Sequence, residues 1–127
     1  ILFDQNVKIN HAVFVDFLGR KAATTKTLGL AAVRTGAPIA FGIMHEHEEG
    51  KYTLLFEEIP TAALPGENSD ETVERITQSL CNAAEKVIRK HPENWFWIHR
   101  RFKTRPPVWR AALSGCGAAV LLLECVF

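Results

Sequence analysis

Residues 70–91 limit the fold more than any other stretch. Val73, Ile76, Leu80, Ala83, Ala84, Val87 and Ile88 recur at helical spacing and give one apolar face. Asp70, Glu71 and Glu74 load the start, and Arg89, Lys90 and His91 load the end. Each such charge favours the helix dipole by roughly 0.3–1 kcal/mol. Ser69 or Asp70 is the expected cap. A helix with so wide an apolar face needs a sheet or a second helix to cover it, so it reads as scaffold. Cys81 falls near its buried side and is expected to be inert.

The rest of the chain supplies strands for that helix to cover. Ile1-Leu2-Phe3 is a short apolar run ending at Asp4-Gln5. Polar residues at a strand's carboxyl end are where α/β sheets gather ligands. A turn started by Asp4 fits the same residues. Val13–Leu18 reads as an extended stretch buried on most sides, and Gly19 permits a positive φ or a close backbone approach. Arg20, Lys21, Thr24, Thr25 and Lys26 then offer cations and hydroxyls, either as an anion site or as a solvated turn. They do not form a P-loop. Residues 24–35 read as a helix capped by Thr24 or Thr25, with Leu28, Ala31 and Ala32 on its narrow face. Gly36 and Pro38 end it. Residues 38–44 and 51–59 read as strands of a hairpin turning at Glu49-Gly50, with Tyr52, Leu54 and Phe56 on one face. His45 and His47 sit at i, i+2 and could share a zinc ion, but no third ligand set accompanies them. A solvated hairpin end is expected there instead. Pro60, Pro65 and Gly66 make residues 60–69 a loop.

The chain has 127 residues, 47% hydrophobic and 23% charged, which fits one folded domain. Its net charge of +1 says nothing global about partners. Cys81, Cys116 and Cys125 have no metal spacing and read as reduced thiols. Ile1 replaces a starting Met inside what reads as a strand, so a piece of a longer protein is expected. An apolar tail from residue 107 to 127, broken by Glu124, is expected to stand apart from a unit spanning residues 1–106.

Aromatic residues and cations crowd into residues 92–106 as nowhere else. Pro92 and Glu93 suit a helix start, and Trp95, Ile98 and Phe102 would form a stripe on a helix over 94–103. Trp97, Arg100, Arg101 and Lys103 would flank it, and Pro106-Pro107 would stop it. A greasy ridge bordered by positive charge suits an anionic group beside something apolar. The same ingredients also suit single-stranded nucleic acid, which keeps a binding module open as a rival class.

Glu93-Asn94-Trp95-Phe96-Trp97-Ile98-His99-Arg100-Arg101-Phe102-Lys103-Thr104-Arg105-Pro106 resembles the closing signature of the bacterial lipid A biosynthesis acyltransferases. These are the lauroyl/myristoyl acyltransferases of the lysophospholipid acyltransferase superfamily, and their signature reads approximately P-E-Q-W-x-W-x-H-R-R-[FW]-K-x-R-P. Asp4-Gln5 is similar to the family's D-Q after a strand. Phe14, Val15, Phe17, Gly19, Ala22 and Thr24 match F-V-x-F-F-G-x-x-A-x-T, and Thr35-Gly36-Ala37 matches x-T-G-A-x-[VI].

The resemblance implies an α/β fold: a three-layer fragment of the glycerolipid-acyltransferase fold, with a mixed sheet of about four strands flanked by helices. It implies transfer of a fatty acyl chain from acyl carrier protein to a hydroxyl of a lipid A precursor in lipopolysaccharide synthesis, with a His as general base. The implied setting is the cytoplasmic face of the inner membrane. The implied partners are acyl carrier protein, the lipid A precursor and the membrane surface, without nucleic acid, cofactor or metal. On this reading Asp4 and Gln5 meet the acceptor's polar head, and Gly19, Arg20 and Thr24 line the site. Arg100, Arg101, Lys103 and Arg105 meet phosphates or headgroups. His99 either donates a hydrogen bond or packs structurally. The family's catalytic His-x4-Asp/Glu motif belongs upstream of the D-Q strand. No His here carries an acid in that context, and His45 with Glu49 is separated by the hairpin turn. The chain is therefore expected to be the family's carboxyl-terminal, non-catalytic half, inactive in isolation.

Overall fold

The computed structural model describes residues 2–107, apart from the side chain of His47. The elements follow in order as β1 (Ala12–Phe17), β2 (Arg20–Thr25), α1 (Thr27–Thr35), β3 (Ile39–Glu48), β4 (Lys51–Ile59) and α2 (Ser69–Lys90). Short 3-10 turns occupy Ile9–His11 and Pro92–Asn94.

The strands form two antiparallel two-stranded sheets, β1 with β2 and β3 with β4, in place of the single mixed sheet expected. Tight turns decide this. Leu18 (φ 49°) and Gly19 (φ 79°) are both left-handed, which is the geometry of a two-residue hairpin. The chain reverses there and pairs Phe17 with Arg20 and Ala12 with Thr25. Arg20–Thr25 is thus a strand, correcting the reading of these residues as an anion-binding loop or helix start. Leu2 and Phe3 are not in a strand. Phe3 instead sets its ring edge-on to Phe41 at 5.9 Å. The second hairpin turns at Glu49-Gly50 as expected, with Gly50 at φ 75°.

α1 starts later than expected, at Thr27, whose N–H donates to Thr25 Oγ1 at 3.3 Å. It ends on left-handed Gly36, whose N–H donates to the Ala32 carbonyl at 2.8 Å. α2 agrees with its periodicity almost to the residue. Its cap is Asn68 rather than Ser69 or Asp70: Asn68 Oδ1 accepts from the N–H of Asp70 and Glu71, and Glu71 reaches back to the Asn68 N–H at 2.9 Å.

α2 organises the molecule. Ile76, Leu80, Ala83, Ala84 and Ile88 are buried in a common core with Val15, Phe17, Phe41 and Ile59. α2 also covers the free edge of β1. Gln78 accepts from the Asp16 N–H at 2.7 Å and donates to its carbonyl at 2.9 Å, and Glu85 accepts from the Leu18 N–H at 2.6 Å. Backbone groups that an edge strand would leave open are thereby satisfied. Gly29 of α1 meets α2 so closely that a Cβ there would lie 3.0 Å from the Val73 carbonyl oxygen.

The loop before α2 hangs on one ion pair. Arg75 Nε donates to Glu67 at 2.9 Å, and its Nη2 donates to the Ala62 carbonyl at 2.6 Å. The Arg75 bond to Glu67, followed by the Leu64 N–H at 3.0 Å, holds the Glu67 carboxyl down at about 2, from an ordinary 4.5. A lowered folded-state value means the carboxylate stabilises the fold above pH 4.5, and that this is lost as pH falls through about 2. Glu67→Gln is therefore expected to unfold at lower temperature than the parent at pH 7. The gap should close as pH falls from 4.5 towards 2, as followed by circular dichroism melts. Gly29→Leu should lose about 2 kcal/mol or more in denaturant titration, because the helix–helix contact has no room for it.

Candidate functional site

The expected helix over 94–103 is absent; after the 3-10 turn the chain runs in successive turns. Its backbone bonds are short-range: Trp97 N–H to the Trp95 carbonyl, His99 N–H to Phe96, Arg101 N–H to His99. Bulky aromatic residues are indifferent helix formers, and tertiary contacts decide the path. Trp95 and Phe102 both turn inward to Phe17, with ring centroids at 5.7 and 6.3 Å. Ile98, the third member of the expected stripe, is 83% exposed.

Arg101 is the most consequential residue of the segment. It is only 4% exposed, and its guanidinium crosses the interior. Nη1 donates to the carbonyls of Ala23 (2.8 Å) and Gln5 (3.4 Å), and Nη2 donates to Thr24 Oγ1 (2.5 Å). The guanidinium also lies 5.3 Å from the Phe17 ring centre. Burial lowers its pKa, while Cys81 and the carboxylate of Asp4 act in the opposite direction. The Gln5 carbonyl that Arg101 bonds adjoins Asp4 in the chain, which places Asp4 and Arg101 in one neighbourhood.

A second set of bonds ties the same two segments. The Asn6 N–H donates to His99 Nε2 at 3.0 Å. The Asn6 side chain donates to Thr104 Oγ1 at 3.0 Å and accepts from the Thr104 N–H at 2.9 Å. His99 is thus a hydrogen-bond acceptor in a structural latch. Sequence reasoning passed over Asn6 and Thr104. Nothing in their surroundings marks them, since their pairing spans 98 residues.

The other candidates divide between buried and exposed positions. Thr24 is fully buried beneath Arg101. Gly19 makes the hairpin turn, and the guanidinium of the neighbouring Arg20 sits 4.8 Å from the Phe102 ring centre. Asp4 is half-buried, and the Gln5, Arg100, Lys103 and Arg105 side chains are exposed. Cys81 is buried beside Thr24, and burial pushes its thiol up, as expected of an inert cysteine. Residues 108–127, with Cys116, Cys125 and the apolar tail, lie outside the described residues.

Among the described residues no cluster of three or more His, Cys, Asp or Glu could hold a metal ion. His45 is engaged otherwise: it stacks on His91 with centroids at 3.7 Å, and its Nδ1 is 2.6 Å from the Asn94 amide. That end of the hairpin is therefore tied to the end of α2, more than the solvated tip expected. His11 and Asp16 do have His-x4-Asp spacing. Extended β1 lies between them, and five residues at strand rise put them roughly 15 Å apart, so they cannot act as a dyad. Asp16 pairs with Lys21 at 3.0 Å instead. The sequence also gave no sign of a cleft of about 380 Å³ lined by Phe41, Ile43, Leu55 and Val87 together with Lys86, Lys90 and His91. No described helix is long and apolar enough to cross a membrane.

Residues 1–104 match the family model described as bacterial lipid A biosynthesis acyltransferase. The chain is 32% identical over 96 residues to the lipid A biosynthesis lauroyltransferase of Escherichia coli (strain K12), covering 75% of this chain and 30% of that protein. It is 31% identical over 85 residues to the lipid A biosynthesis palmitoleoyltransferase of the same organism, covering 67% of this chain and 26% of that protein. A lipid A biosynthesis acyltransferase of Shigella flexneri matches to the same extent. The chain spans less than a third of the length of these relatives. A match over four-fifths of the chain, carried through the residues that build the latch, means that this chain belongs to the bacterial lipid A biosynthesis acyltransferase family.

Proposed function

We propose that this chain is the acceptor-recognition part of an enzyme that moves a fatty acyl group from acyl carrier protein to a hydroxyl of a lipid A precursor. One observation carries the reading: the latch joins Asp4–Asn6 to His99–Thr104, so an acidic segment and a cationic one share an edge. A phosphorylated sugar lipid presents hydroxyls and phosphates together, and such an edge can meet both. Asp4 and the Gln5 side chain take the hydroxyls. Arg20, Arg100, Lys103 and Arg105 take phosphate, for which a guanidinium fork is well shaped. Gly19, Thr24, His99 and Arg101 act one step back and position the others. The apolar cleft beside the end of α2 offers a wall for the acyl chain.

In the transfer, the acceptor oxygen attacks the thioester carbonyl carbon. The C–O bond forms, the C–S bond breaks, the hydroxyl proton passes to a general base and the carrier thiolate leaves to be protonated. The base and its orienting acid are assigned to the part of the enzyme that the relatives have beyond this match, so this chain alone has no transfer activity. The membrane surface is the meeting place of a soluble carrier and a lipid acceptor, which puts the enzyme at the cytoplasmic face of the inner membrane. Residues 107–127 are read as standing apart from the acyltransferase unit, with no role assigned to them.

The division between contact and positioning residues is testable in the full-length enzyme. Arg100→Ala with Lys103→Ala should raise KM for the acceptor at least tenfold while leaving thermal stability within about 0.5 kcal/mol. Arg101→Ala should cost about 2–3 kcal/mol of stability, since it leaves buried carbonyls without their donor. Unchanged acceptor KM in the Arg100/Lys103 variant would sink the reading.

A further inference from the structure

The turn between the two inward-facing aromatics carries three consecutive large apolar side chains outward. Phe96 is 68% exposed, Trp97 58% and Ile98 83%. This tip is anchored on both sides. Trp95 and Phe102 hold its two sides against Phe17, and the Asn6 N–H holds His99. Trp97 Nε1 donates to the Pro92 carbonyl at 2.6 Å, so the indole has its polar atom satisfied and its ring left free for an apolar partner.

Positive charge follows the tip along the chain. Residues 99–105 contain Arg100, Arg101, Lys103 and Arg105 and no Asp or Glu, in a chain whose net charge is only +1, and of these Arg101 is buried. Arg100 and Lys103, just beyond the tip, are exposed. The combination of an aromatic and aliphatic tip with a cationic collar matches an anionic bilayer. Trp and Phe settle at the headgroup level, and Lys and Arg meet the lipid phosphates.

We infer that Phe96-Trp97-Ile98 is a membrane-insertion tip, with Arg100 and Lys103 as its anionic-headgroup collar. The inference rests on the membrane placement proposed above and deepens it by naming the residues that enter the bilayer. Three outward side chains bury little area, so the attachment is weak and reversible, and it depends on the collar. It brings the exposed Arg100 and Lys103, which follow the tip in the chain, to the membrane surface.

The test is co-sedimentation of the full chain with vesicles, without acyl donor or acceptor, so failure of bilayer docking is read separately from failure of acyl transfer. Phosphatidylglycerol vesicles should be bound roughly tenfold more strongly than phosphatidylcholine vesicles, with the preference weakening as salt rises. The triple variant Phe96→Ser/Trp97→Ser/Ile98→Ser should lose at least tenfold in binding while keeping the parent's circular dichroism spectrum. Arg100→Gln/Lys103→Gln should lose the lipid preference and the salt dependence. Parent and variants share residues 108–127, so a difference between them belongs to the tip and collar. Equal binding by the triple variant overturns the inference. So does a parent indifferent to lipid charge, or a triple variant that changes only self-association.

Discussion

The buried guanidinium of Arg101 is the tie on which the architecture closes. It reaches from the last described turns into the β1–β2 hairpin and to the segment before it, linking three stretches far apart in sequence. Desolvating a guanidinium is costly unless its N–H groups find acceptors. Here the acceptors are two backbone carbonyls and a buried threonine hydroxyl, while Nε finds no partner among the described residues. The ring of Phe17 beneath the guanidinium and the charge of Asp4 offset part of that cost.

Around this tie the fold is two hairpins held by one helix. α2 gives its apolar face to the core and its polar edge to β1, where Gln78 and Glu85 stand in for a missing neighbouring strand. The core is therefore continuous even though the sheets are separate. The β3–β4 hairpin is less covered: Met44, Tyr52, Leu54 and Phe56 are exposed on one face, and the Phe56 ring lies directly over Gly42.

Neighbouring residues of the aromatic, basic segment divide their work by direction. Arg101 and His99 face inward and stitch; Arg100, between them, faces out with Lys103 and Arg105. Trp95 and Phe102 close the core, whereas Phe96, Trp97 and Ile98 leave it. One composition thus serves two purposes, and a periodic helix would have separated them differently.

Local patterns determined α2, the β3–β4 hairpin, the end of α1 at Gly36 and the likeness to the acyltransferase family. In each case the deciding interactions run between residues close in sequence: turn glycines, helix-end charges and a repeated apolar spacing. Tertiary structure alone decided that residues 94–103 are not a helix and which of two adjacent arginines is buried. Those outcomes depend on hydrogen bonds and ring contacts between residues up to 98 apart. No window of neighbouring residues contains such partners, because burial energy is set by what the folded chain brings alongside.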